Sequence, residues 1–538
     1  MPCMQIRAKG TTGIFRPSTR PGLGGLRVAA ALALAAPMLR AQRIVPEVTP
    51  DPGIGEFHFP ESEATLTGWI TDLSRGRTTA AASAAFEKIH LHGWGLWTAL
   101  TAEAAQVYGG QRLRVFETWP TPEDLASRPD LRSIAPLGQQ SRRRAPLRAL
   151  SQLQGRVRAA ATPATLGAND AVGQVVGYVK LDPTAANHIL KQGLLKRSAL
   201  DALLQGGAQQ IPVFPATAIA AKSVFQIIRA GDLVDGRYYC LKAWSGPPDT
   251  VQEWGPVQWP GAVWIDVLGS GSGRGAVDQS PSADGSTRTE ETTYPLSNLI
   301  SYRLSADDAT ALNQDKPGTG AAAGDYAILV AMHIAGREIV RWTWQTYWWT
   351  PAPDDPPAPS SAAIANLRPP QLRGAPRHYA MALGYTMLTP DQPYVGGENS
   401  GAAVYTYNPW IEARFGPADL PDSRAGFDPA GRPAANNYGV QTNCMSCHAQ
   451  ATYNPNKLAT APRLTGARYV DLIDPQFVGT LQVDFLWSIS RHATSPSAPE
   501  ALPLLPVANP APVSSAVLPP RFPTLPLDSN QNLTSAQP

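Results

Sequence analysis

Between residues 173 and 349 the chain passes through a succession of short runs rich in Val, Ile, Tyr and Trp: VVGYVKLD, SVFQIIRA, RYYCLKAW, AVWIDVL, LISYRLS, YAILVAMHIA and IVRWTWQTYWW. Each is bounded by Gly, Pro or Asp. Residues that suit a pleated surface therefore alternate with residues that end strands. The pattern restricts this region to antiparallel sheet, with one helix expected over about 184–204. Alternation is clearest at the end. Ile328, Val330, Met332 and Ile334 fall on one side of their run, and Trp342, Trp344, Thr346 and Trp348 do so in the next. Gly336 in the short connection marks a hairpin. His333 then shares the other side with the small Ala331 and Ala335, which leaves room for something flat.

Proline sharpens the restriction. The chain has 53 prolines in 538 residues, roughly twice the usual share. Proline breaks helices and central strands, so long irregular connections are expected. The expected fold class is α+β: a β-rich N-terminal region with a few helices, followed by a small, mainly α-helical segment. The divisions read from composition are a leader over 1–41, a mixed and partly helical region over 42–172, the β-rich domain over 173–349, a Pro-rich linker over 350–376, a further domain over 377–493, and a disordered Pro-rich tail over 494–538. Residues 45–80 read as irregular. From Ala80 to about Val107, Phe86, Ile89, Gly93, Trp97 and Leu100 recur at helical spacing.

The leader has the order of an export signal: Arg7, Lys9, Arg16, Arg20 and Arg27, then the apolar run VAAALALAAPML, then the small Ala41. The run is too short to span a bilayer, which takes about 20 residues. The mature chain is thus expected to be periplasmic or otherwise exported, with no membrane-spanning segment. A net charge of +3 gives no reason to expect nucleic acid or acidic lipid as a partner. The arginines over 138–162 read as a solvated helix or linker. GSGSGRG, at 269–275, lacks the helix a nucleotide loop requires and reads as a loop. His90 and His92, two apart on a helix, face different ways.

The chemistry is concentrated in NCMSCHAQ. Cys444 and Cys447 stand three apart and His448 follows at once. Two thiols can add across the two vinyl groups of haem, and the histidine then reaches the iron from one face. Two other uses of the spacing are a thioredoxin-like redox pair, which needs a βαβ context, and a zinc site, which needs four ligands. Neither context is visible in the sequence. Cys3 would leave with the signal, and Cys240 reads as a small buried hydrophobe.

Through Cys444, Cys447 and His448 the chain resembles the c-type cytochromes. HGWGLWTALTAE, VFETWPTPEDL, MHIAGREIVRWTWQTYWW and DFLWSI are similar to segments of uncharacterised large bacterial cytochrome c family proteins. The resemblance implies one covalent haem c, His448 as proximal iron ligand, a cytochrome c-like domain over 377–493, and electron transfer to a redox partner protein it does not name. Small cytochromes c usually supply a second ligand, methionine, well downstream of the motif, but this chain has no methionine after Met445. The distal candidates are His333, Met381, Met387 and His492. An empty distal position would instead admit peroxide, oxygen or a small substrate and suit an oxidoreductase.

Overall fold

The β-prone runs do become strands. In the computed structural model, Val175–Leu181, Ile219–Ile228, Tyr326–Gly336 and Thr343–Trp349 form the middle of a seven-stranded sheet, edged by Arg148–Ala149 on one side and Tyr379–Leu383 on the other. Ser301–Arg303 pairs with the first residues of Tyr326–Gly336. Every pairing in this sheet is antiparallel. The structure describes residues 44–74, 79–127, 132–134, 144–145, 147–149, 175–416, 419–420, 438–456, 462 and 466–493. The expected leader (1–41), most of the arginine-rich stretch and the expected tail (494–538) lie outside the described residues.

A bulge between Leu329 and Ala331 resets the alternation on the central strand. Ala331, His333 and Ala335 lie opposite Trp348, Thr346 and Trp344, while Met332 and Ile334 lie opposite Tyr347 and Gln345. Trp342 has φ 61 and precedes the strand, so it does not continue the tryptophan row. Across the other neighbour, His333 lies opposite Lys222.

The Tyr347 side of the sheet is covered by the helix Ala80–Thr101, capped by Thr79, whose hydroxyl accepts from the Ala82 amide at 3.1 Å. Glycine lets this helix approach closely: a Cβ on Gly93 would lie 2.8 Å from the Met381 sulfur, and one on Gly95 2.1 Å from the Phe57 ring. Tyr347 donates to the Gly93 carbonyl at 2.6 Å and stacks on Trp97 at 4.4 Å.

Several expectations are corrected. The helix over 184–204 is two, Pro183–Gln192 and Arg197–Gln205, because Gly193 takes φ 65 and closes the first. Glu63–Ser74 is helical within the stretch read as irregular. A second sheet, Tyr238–Lys242, Ala262–Asp266 and Thr293–Pro295, includes a parallel pairing. Residues 350–376 do not form a linker. Irregular, proline-rich backbone leaves carbonyls unused by any ladder, and buried indoles take them: Trp244, Trp94 and Trp97 donate to the carbonyls of Ala358, Ile364 and Pro376 at 2.7, 2.9 and 2.9 Å.

The segment over 377–493 is not mainly helical. Its described helices are Cys444–His448, Trp487–His492 and short 3-10 turns, accompanied by short strands. Nor does it stand apart. Its first strand, Tyr379–Leu383, pairs with Thr343–Trp349 in the main sheet. Its apolar side chains, among them Met445, Val470, Leu481, Phe485 and Ile489, share a core with Leu66, Leu190, Leu200 and Trp344. Amides tie it down as well: Ile211 donates to the Gln482 carbonyl at 3.0 Å, and Gln482 to that of Gln209 at 2.8 Å. The α+β class stands. Among the described residues no helix is long and apolar enough to cross a membrane.

Candidate functional site

The Cys444–His448 helix begins where it does because Asn443 caps it. The Asn443 side-chain oxygen accepts from the Ser446 amide at 3.0 Å, and its nitrogen donates to the carbonyls of Val404 and Thr386 at 2.7 and 3.1 Å. Positions i, i+3 and i+4 of a helix share a face. Cys444, Cys447 and His448 are such a set. Met445 and Ser446 are buried, and Ser446 donates to the Arg468 carbonyl at 2.6 Å. Neither Cys444 nor Cys447 is in a disulfide. The Cys444 sulfur lies 3.4 Å from the Thr406 carbonyl oxygen, and burial, with Glu412 adding to it, pushes this thiol well above the usual range.

His448 is held from two sides. Its Nδ1 lies 2.8 Å from the Phe485 carbonyl oxygen, and its ring meets that of Trp344 at 4.2 Å. A carbonyl only accepts, so Nδ1 carries the hydrogen and Nε2 keeps the lone pair. Among the described residues Nε2 has no hydrogen-bond partner. Burial lowers the pKa of this histidine to about 4, so the imidazole is neutral at ordinary pH. A ring nitrogen fixed to a backbone carbonyl with the other left open is the usual state of a metal-ligating histidine.

Three further groups converge on the motif from elsewhere in the chain. His333 Nε2 lies 3.2 Å from Glu412 Oε1, and Glu412 Oε2 accepts from the Asn408 amide at 2.8 Å. Burial pushes the Glu412 carboxyl up, but the charge and hydrogen bond of His333 and the charge of Lys222 bring it below its ordinary value. The Nδ1 of His333 is buried without a partner. Burial lowers Lys222 to about 8, against the attraction of Glu412. His448 feels the charges of His333, Lys222 and Glu412. Cys444, Cys447, His448, Lys222, His333 and Glu412 all lie deep in the fold, yet each keeps part of its surface open. The charges of Glu412 and Lys222 reach both Cys444 and His448, so these groups form one cluster.

The four distal candidates do not converge. Met381 faces the helix at Gly93, on the opposite side of its strand from Ala382, which lies across from Thr346. The sulfur of Met387 accepts from the Val470 amide at 3.3 Å. His492 has both ring nitrogens engaged, with the Ser488 carbonyl at 2.8 Å and Glu123 at 3.2 Å. Only His333 joins the motif, and its Nε2 is committed to Glu412. His90 and His92 point apart, to the Phe86 carbonyl at 2.7 Å and to Tyr385 and Glu338 at 2.6 and 2.9 Å. Cys240 lies on a strand, half-buried and not fully covered as read, and burial raises its pKa to about 11.

Sequence reasoning passed over Lys222, Glu412, Trp344 and the Phe485 carbonyl. One signal was available: Lys222 is the only charged residue in the run IAAKSVFQII. Among the described residues no three His, Cys, Asp or Glu side chains form a metal-ligand group. Among the described residues no βαβ unit surrounds the short helix.

The cluster depends on one close approach. A Cβ on Gly439 would lie 1.5 Å from the Glu412 carbonyl oxygen. Gly439→Ala is expected to displace the Glu412 backbone and cost about 1–3 kcal/mol or more, as overpacking does. Guanidinium denaturation of the variant beside wild type measures it. Compared with protein families, curated proteins and solved structures, the chain matches none of them.

Proposed function

We propose that this chain is an exported monohaem c-type cytochrome, which binds one haem covalently and transfers electrons to a partner protein. Cys444 and Cys447 would hold the haem through two thioether bonds. His448 would ligate its iron. The observation that carries the reading is the state of His448, with Nδ1 tied to the Phe485 carbonyl and Nε2 open beside two thiols on one helix face. The bound haem supplies one-electron oxidation and reduction. The protein's share is to fix His448 against Trp344 and to surround the motif with a largely apolar core, both of which tune a haem's potential.

A reduced-minus-oxidised visible spectrum of the purified full chain tests this. Sharp bands of a c-type haem are the expected result, and a featureless difference spectrum overturns it. Export is tested separately, by N-terminal sequencing of native protein, which is expected to begin after about Ala41. Recovery of Met1 or Met4 on haem-bearing protein overturns that part.

A second reading is a haem-dependent oxidoreductase with an open distal face, acting on peroxide, oxygen or a small substrate. It is favoured by one observation: Met381 faces away, and the sulfur of Met387, both ring nitrogens of His492 and the Nε2 of His333 already have partners. Carbon monoxide binding by the reduced protein separates it from the first.

A further inference from the structure

A haem held by Cys444, Cys447 and His448 has one face left to fill, and of the residues that sequence offers for it only His333 stands at the motif, with its Nε2 given to Glu412. Lys222 stands there as well. It projects from Ile219–Ile228, an inner strand of the main sheet, directly across from His333. Among the described residues its Nζ makes no hydrogen bond and lies within ion-pair distance of no carboxylate. Glu412, the one acid it feels, gives its oxygens to His333 and to the Asn408 amide. Lys222 is part-buried, and a lysine on an inner strand usually meets a carboxylate or a carbonyl. This one has neither, and it stands beside two thiols and the open nitrogen of His448, where a haem on the motif would meet it.

We infer that Lys222 supplies the sixth ligand of the iron, from the sheet, opposite His448 on its helix. This rests on the haem reading above. The four-carbon stem gives the amine reach that His333, held by Glu412, does not have. In binding, Nζ releases one proton to solvent and places its lone pair on the iron, and no electron changes hands. The neighbouring His333–Glu412 pair then serves as a polar floor beneath the amine, with Glu412 fixed by the Asn408 backbone.

The test uses the full exported protein and reads the ferric spectrum by visible, near-infrared and electron paramagnetic resonance spectroscopy. Wild type is expected to be six-coordinate and low-spin, with the near-infrared charge-transfer band of a histidine–amine pair. Lys222→Arg keeps the positive charge but offers no lone pair to iron. It is expected to turn high-spin and bind carbon monoxide once reduced, with its haem stain intact. Lys222→His is expected to return the low-spin state at a shifted potential.

A low-spin Lys222→Arg protein overturns the inference and makes the ammonium a counter-charge for the haem carboxylates. A high-spin wild type overturns it in favour of the open site, and a high-spin His333→Ala makes His333 the ligand. The wild-type near-infrared band decides the matter even if Lys222→Arg does not fold. Absence of haem from wild-type protein is a different failure, that of the cytochrome reading itself.

Discussion

Replacing Cys444 and Cys447 together with alanine is expected to abolish haem staining of the denatured chain, against one stained band near the mature mass for wild type. The reasoning concerns bond type. Denaturation scatters Phe485, Trp344 and the other groups that hold His448, and an axial iron–nitrogen bond does not survive that loss. Carbon–sulfur bonds do. Single replacements, Cys444→Ala or Cys447→Ala, are expected to keep a weaker stain through the remaining thioether. Because Asn443 caps the helix through Ser446 and not through either cysteine, the double variant is expected to fold. Its circular dichroism should match that of wild type without haem. A stained band persisting in the double variant would show that the thiols are not the attachment points.

The second large effect is on stability. Asp484 is 2% exposed and accepts from three elements: Arg337 Nε at 3.1 Å, the Phe214 amide at 2.9 Å and Trp342 Nε1 at 3.3 Å. Asp484→Ala leaves a largely buried guanidinium without its carboxylate and two donors without an acceptor. Breaking a buried ion pair from one side costs about 3–5 kcal/mol. Asp484→Asn keeps an acceptor and is expected to lose less. The midpoint of guanidinium denaturation reads both. Asp484 also precedes Phe485, whose carbonyl orients His448, so the alanine variant should broaden or shift the haem spectrum before it unfolds. A wild-type midpoint in Asp484→Ala would mean that the three donors find other partners.

Much of this fold was legible in the runs over 173–349, because strand propensity and strand ends are local properties. The bulge at Leu329–Ala331 was not, since it depends on the partner strand. Nor was the part after residue 349. Residues 350–376 are mostly irregular, as read, apart from a short helix at Ala362–Ala365, but irregular is not the same as loose. Trp94, Trp97 and Trp244 pin that backbone from positions more than a hundred residues away, and no local pattern reports such contacts. At the site, Cys444, Cys447 and His448 announce themselves by spacing alone. Lys222 and Glu412 do not, because what brings them to the motif is strand register and the position of a distant loop. Among the distal candidates, sequence distance misled: Met381 lies in the same segment as the motif but faces the other side of the sheet.

The placement of Tyr379–Leu383 at the edge of the main sheet has a consequence for how this protein can be taken apart. Without that strand, Thr343–Trp349 would present a row of unpaired backbone groups next to Trp344, Trp348 and Trp349, an invitation to pair with another chain. The part carrying the cysteines is therefore the closing piece of the body that precedes it. It cannot be cut out as a transferable cassette, and the body cannot be expected to stay soluble once trimmed. Assembly is committed only when the last third of the chain has emerged, so truncation should destroy both halves together.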